Sequence, residues 1–124
     1  MTVATWCVLI AGLLPYLATG IAKIGGARYN NRSPRLWLDK QQGFRSRANA
    51  AQANSFEAFP LFAAAVIIAQ LSGAPQGHVD ALALLFIAAR AGYIACYIGD
   101  WHWARSGVWL VGLLATVGIF VAAT

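Results

Sequence analysis

Two ionisable residues stand inside otherwise apolar sequence. Glu57 leads into an apolar stretch, and Arg90 is flanked by Ile87-Ala88-Ala89 and Ala91-Gly92. A charge at the centre of a membrane helix costs roughly 2.5–3.5 kcal/mol on insertion scales, so such residues are usually paired and usually functional. Further polar residues fall into register with each of them. Arg47, Asn54 and Glu57 stand at i, i+7 and i+10, on one face of a helix, and Arg90, Tyr93 and Tyr97 stand at i, i+3 and i+7 on one face of another. Two such stripes converging on a cavity would offer a carboxylate for an amine, arginines for carboxylates, and amide and phenol groups for a peptide-like backbone. A small zwitterionic ligand fits that set better than an ion or a lipid tail. A purely structural ion pair between Glu57 and Arg90 is the alternative that the pattern leaves open. Gln52 is offset from the face of Asn54 and Glu57 and is placed to serve a neighbouring surface.

The elements that carry these residues follow from composition. Of 124 residues, 60% are hydrophobic and only 10% charged, with mean hydropathy +0.62. That excludes an ordinary soluble domain, which is about a quarter charged, and a disordered chain, which needs high polarity. The net charge of +5 does not point to nucleic acid. Seven of the nine basic residues lie from Lys23 to Arg47, between two apolar runs and without a basic amphipathic face. This is a topology signal. Four spans are expected, over residues 3 to about 24, 44–71, about 79–98 and about 105–123, each able to cross a core of about 30 Å. A polar loop over 27–43, with turn signals at Asn30-Asn31 and Ser33-Pro34, and a tight turn over 99–104 connect them. The expected fold is all-α, a single integral membrane four-helix bundle over residues 1–124. The first span reads as retained rather than as a signal peptide, since no positive residue precedes it. The positive-inside rule puts the basic loop in the cytoplasm and both termini outside, and compact loops suit a bacterial inner membrane.

The remaining candidates read as structural. Pro60 lies inside the second span, where it frees the carbonyl of Phe56 and bends the axis. Cys7 and Cys96 lie near opposite membrane faces, too far apart to bridge, and have no partners at metal-ligand spacing. His78 and His102 read as solvated loop residues, and no metal site is expected. Trp101 and Trp103 read as interfacial anchors.

The run Ala51-Gln52-Ala53-Asn54-Ser55-Phe56-Glu57-Ala58-Phe59-Pro60-Leu61-Phe62 resembles the AQxNxxExFPLF signature of the MAPEG family, the membrane-associated proteins of eicosanoid and glutathione metabolism. Arg90-x-x-Tyr93-x-x-x-Tyr97 is similar to that family's third membrane helix. The resemblance implies a homotrimer with glutathione, as co-substrate, bound between subunits at the cytoplasmic end. Asn54, Glu57, Arg90, Tyr93 and Tyr97 would hold the tripeptide, Gln52 would reach it from the neighbour, and Arg47 matches a recurrent arginine near that site. Arg105 resembles the arginine that faces the glutathione sulfur, which makes it the catalytic candidate. A cation there would favour the thiolate, which is the nucleophile, by lowering a thiol pKa of about 8.5.

Three positions depart from the family pattern. Ala50 stands in place of an arginine, Ala58 in place of a tyrosine beside the glutamate, and Trp109 near a usual tyrosine. The resemblance therefore implies a membrane glutathione transferase or peroxidase acting on small apolar electrophiles that enter from the lipid. A non-catalytic binding protein on the same fold is the alternative motivated by Ala50. A small drug-efflux transporter fits poorly, because the first span holds no acidic residue.

Overall fold

The computed structural model describes residues 1–25 and 28–124. Five helices follow in order: α1 (Val3–Ala22), α2 (Pro34–Asp39), α3 (Phe44–Ser72), α4 (Gln76–Ile98) and α5 (His102–Ala122). All but α2 are long and apolar enough to cross a membrane. At 1.5 Å per residue, the 20 residues of α1 already reach about 30 Å.

Hydrogen bonds at the helix ends set the directions. Thr2 caps α1 by accepting from the Thr5 amide at 3.2 Å, and Asp80 in the second turn of α4 accepts from the Ala4 amide at 2.9 Å. The N-termini of α1 and α4 therefore lie side by side. At the opposite, basic end the first turn of α3 holds the chain just past α1 and the C-terminus of α4: Arg45 Nε donates to Ile24 O at 2.6 Å and Arg47 Nε to Ile98 O at 2.9 Å. The last carbonyls of a helix have no partner within it, so a cation there satisfies an acceptor and opposes the dipole.

The main interfaces are α1 on α3 and α4 on α5, with α3 and α4 also in contact. Small residues (Ala11, Ala65, Ala69, Ala83, Ala115) let the axes approach, and Phe62 and Phe86 stack face to face between them with centroids 3.9 Å apart. Outward positions such as Leu13, Leu17, Ile67, Ile68 and Leu114 are exposed and apolar, as lipid contact requires. α3 runs unbroken through Pro60.

The structure shortens two of the connections expected from sequence and moves the end of α1 back by two residues, to Ala22. α4 starts at Gln76 and α5 at His102, each three residues earlier than expected. The last shift has a local cause. Trp101 donates to Cys96 O at 2.8 Å and Asp100 to Tyr97 O at 3.1 Å, the two bonds of a Schellman motif. The reversal is complete within three residues, so Trp101 already serves as the N-cap of α5. Its cost is a positive φ of 62° at Asp100, a position where α3's corresponding turn has Gly73. Asp100→Gly is expected to stabilise the protein by about 0.5–1 kcal/mol and Asp100→Val to destabilise it by about 1–2 kcal/mol, read from the thermal midpoint in detergent.

The 27–43 segment is not loop throughout. Pro34 supplies the first residue of α2, where its missing amide proton costs nothing, and Trp37 and Leu38 are buried against Ala22 and Ala48.

Candidate functional site

Arg90, in the fourth turn of α4, is only 3% exposed. Its Nη2 donates to Asn54 Oδ1 at 2.8 Å and to Ser55 Oγ at 3.4 Å on α3, and its Cζ lies 4.3 Å from the centre of the Tyr93 ring. These partners are neutral dipoles and a π face, so they solvate the guanidinium without cancelling its charge. The hydrogen bonds of Arg90 go to Asn54 and Ser55, not to Glu57, which is exposed; the structural pair left open by the spacing is not what holds Arg90. Gly112 on α5 lets the backbone close on the arginine stem: a Cβ there would meet Arg90 Cδ at 3.6 Å.

Two cavities open from this point. One, of about 230 Å³, lies between α3, α4 and α5 and is lined by Asn54, Glu57 and Arg90 together with Ala58, Leu61, Phe86, Trp109 and Leu113. The other, of about 450 Å³, is lined by Asn54, Tyr93, Tyr97, Arg105, Ser106, Trp109 and Leu110. Asn54 and Trp109 line both, so the two adjoin and are treated together as one cleft. Along its wall runs a ladder of two rings between two cations. Arg90 packs on Tyr93, Tyr93 meets Tyr97 edge-on at 5.6 Å, and Arg105 Cζ lies 4.3 Å over Tyr97. The spacing of Arg90, Tyr93 and Tyr97 puts all three on one face of α4, and the short turn after Asp100 brings the first turn of α5 back to place Arg105 beside them. The cleft thus has a carboxylate at Glu57 and cations at Arg90 and Arg105. Its apolar end is formed by Leu61, Phe86 and Leu113.

Residues 3–124 match the sequence model of the MAPEG family. The chain belongs to the MAPEG family. Neither a curated protein nor a solved structure matched it. The family includes glutathione transferases and peroxidases, and the four long apolar helices of this MAPEG protein agree with its membrane bundle.

Of the residues singled out from sequence, this MAPEG protein brings Asn54, Glu57, Arg90, Tyr93, Tyr97 and Arg105 to one cleft. The other two lie elsewhere. Arg47 holds the end of α4 through Ile98 O, and Gln52 faces a separate cavity between α2 and α3. Sequence reasoning missed Ser55 as a partner of Arg90, and Phe86 and Gly112 as lining. A signal existed for Phe86, four residues before Arg90 and so on the same helix face. None existed for Gly112, whose place depends on how α5 rotates against α4.

Proposed function

We propose that this protein is a membrane glutathione transferase or peroxidase. The observation that carries the reading is the cleft itself. Arg90 and Arg105 are steadied by neutral groups and rings, Glu57 stands free at the rim, and the three charges are held apart rather than paired with each other. Glutathione, with two carboxylates, one ammonium group and two amides, complements that set. Asn54, Glu57, Arg90, Tyr93 and Tyr97 would hold the tripeptide, and Arg47 would lend positive potential from the end of α4. Arg105 would face the sulfur. Glutathione supplies a thiolate nucleophile; Arg105 favours that charge, and Trp109 and Leu110, which line the same cavity as Arg105, exclude water around a small apolar electrophile arriving from the lipid.

The reading includes a homotrimer in a bacterial inner membrane, with the basic loop cytoplasmic, both termini periplasmic, and Gln52 of one copy facing the cleft of the next. Its support is the placement of Gln52 on the opposite side of α3 from Asn54. A non-catalytic binding protein is the second reading, favoured by Ala50, which leaves that turn of α3 without a cation.

Titration calorimetry of glutathione into the detergent-solubilised protein tests the assignment. Wild type is expected to bind, and Glu57→Gln to weaken binding about 10-fold or more through loss of a charge-assisted bond, with an unchanged thermal midpoint. Equal affinity in the variant would remove Glu57 from the site. Saturable binding without turnover of any electrophile or peroxide would favour the second reading.

A further inference from the structure

The cavity of about 230 Å³ changes in polarity along its length. Its α3 wall is Asn54, Glu57, Ala58 and Leu61, and its α5 wall is Trp109, Gly112, Leu113 and Thr116. Each set stands at i, i+3, i+4 and i+7, so each is one face of its helix, about 10 Å long. Both helices start at the basic end of the bundle, where α4 finishes. Moving away from that end, Asn54, Glu57 and Arg90 therefore give way to Leu61, Phe86 and Leu113. Thr116, the furthest along α5, donates its hydroxyl to Gly112 O at 3.1 Å, so the inner end carries no unmet donor.

A small residue keeps this inner end open. Ala58 stands in place of a tyrosine of the family pattern and presents only a methyl group on the α3 wall. Phe86 stacks on Phe62 with centroids 3.9 Å apart, which backs the α4 wall with packed core. Leu61 is half-exposed, so the inner end borders the lipid. A tripeptide held by Asn54, Glu57 and Arg90 uses the polar end alone, since apolar walls offer its charges no partner. Trp109 lines both this cavity and the one holding Arg105. An electrophile reacting beside Trp109 thus has its remainder directed inward between α3 and α5. An apolar cavity of about 150 Å³ accepts benzene, so the space beyond the polar end takes about six carbons.

We propose that the inner end of this cavity is the pocket for the apolar tail of the electrophile, and that Ala58 and Leu113 determine the tail length it accepts. The assignment rests on the transferase reading above and adds the class of acceptor to it: a reactive carbon carrying a straight tail of about six carbons or a single ring. Each methylene that moves from water into the pocket raises kcat/KM about fourfold. Once the pocket is full, further carbons stay outside it and the gain stops.

Glutathione conjugation of the 1-iodoalkanes from iodoethane to iododecane, by the detergent-solubilised protein, tests the pocket. The thiolate sulfur forms a bond to the terminal carbon with its electron pair, the carbon–iodine bond breaks and iodide leaves. Every member of the series reacts in this way, and only the tail differs. Wild type is expected to gain about fourfold per carbon up to about six carbons and then to level off. Ala58→Leu adds an isopropyl group to the wall and should move that break about two to three carbons shorter; Leu113→Ala should move it longer by about as much. The two changes alter the volume in opposite senses, so loss of fold in one leaves the other decisive. Detergent takes up long chains equally whichever protein is present, so a shift between wild type and variant reports the pocket. A break at the same length in wild type and the folded variants, or no break at all, overturns the pocket while the transferase reading stands. So does failure to conjugate the series by a wild type that turns over another electrophile or a peroxide. No turnover of any acceptor overturns that reading and the pocket together.

Discussion

Replacing Arg105 with alanine is expected to leave glutathione bound and to remove most of its reactivity. Arg105 is half-buried at the start of α5, and its guanidinium is fixed over Tyr97 by the tight turn through Asp100. A cation beside a thiol favours the charged form and so lowers the thiol pKa. With a free value of about 8.5, glutathione is about 3% thiolate at pH 7; lowering it by about 2 units makes it about three-quarters thiolate. Arg105→Ala therefore carries roughly 25-fold less thiolate at pH 7. Its rate keeps rising with pH through about 8.5, whereas the wild-type rate levels off above about 6.5. Thiolate ultraviolet absorbance of the bound complex and the pH–rate profile read the same quantity independently. A variant whose thiolate titrates as in wild type would show that Arg105 does something else, whatever happens to turnover.

What could be read from the sequence follows from which forces act along one helix and which act between helices. The four spans were legible because lipid imposes length and composition on every crossing segment. Glu57 and Arg90 were legible because a charge is expensive in such a segment, and the spacing of Tyr93, Tyr97 and Asn54 placed each on the correct face. Helix α2 was not legible. Six residues carry no periodicity, Pro34 marks a turn as readily as a helix start, and what holds α2 is the burial of Trp37 and Leu38 against distant residues. The partners of the charges were hidden for a related reason. Whether Arg90 meets Glu57 or Asn54 depends on the rotation of α3 against α4, which neither helix encodes by itself. Arg47 shows the same limit: its face was read correctly, yet its hydrogen bond goes to the end of α4. The turn after α4 is shorter than the sequence predicts, because Asp100 in a left-handed conformation reverses the chain faster than its residue type suggests.

Asn54→Leu is expected to be among the most destabilising single changes, and its rescue reveals why Arg90 is present. The substitution removes the 2.8 Å acceptor of a guanidinium that is 3% exposed and leaves Ser55, at 3.4 Å, as its hydrogen-bond partner on α3. Hydrogen bonds to a charged group contribute about 1.5–3 kcal/mol, so a loss of about 2–3 kcal/mol should appear as a lower thermal midpoint in detergent. Adding Arg90→Met removes the stranded charge and keeps an apolar chain against Gly112 and Phe86, so the double variant should recover most of that stability. A double variant no more stable than Asn54→Leu would mean that the damage is one of shape, not of unpaired charge. The expected rescue has a sharper consequence. If leucine and methionine hold α3 against α4 nearly as well as asparagine and arginine, stability does not account for a buried guanidinium surrounded by neutral groups. A charge solvated but not cancelled, facing a cleft that opens past Glu57, is then retained for an anion that arrives from outside. The rescued protein should accordingly be folded and unable to bind glutathione.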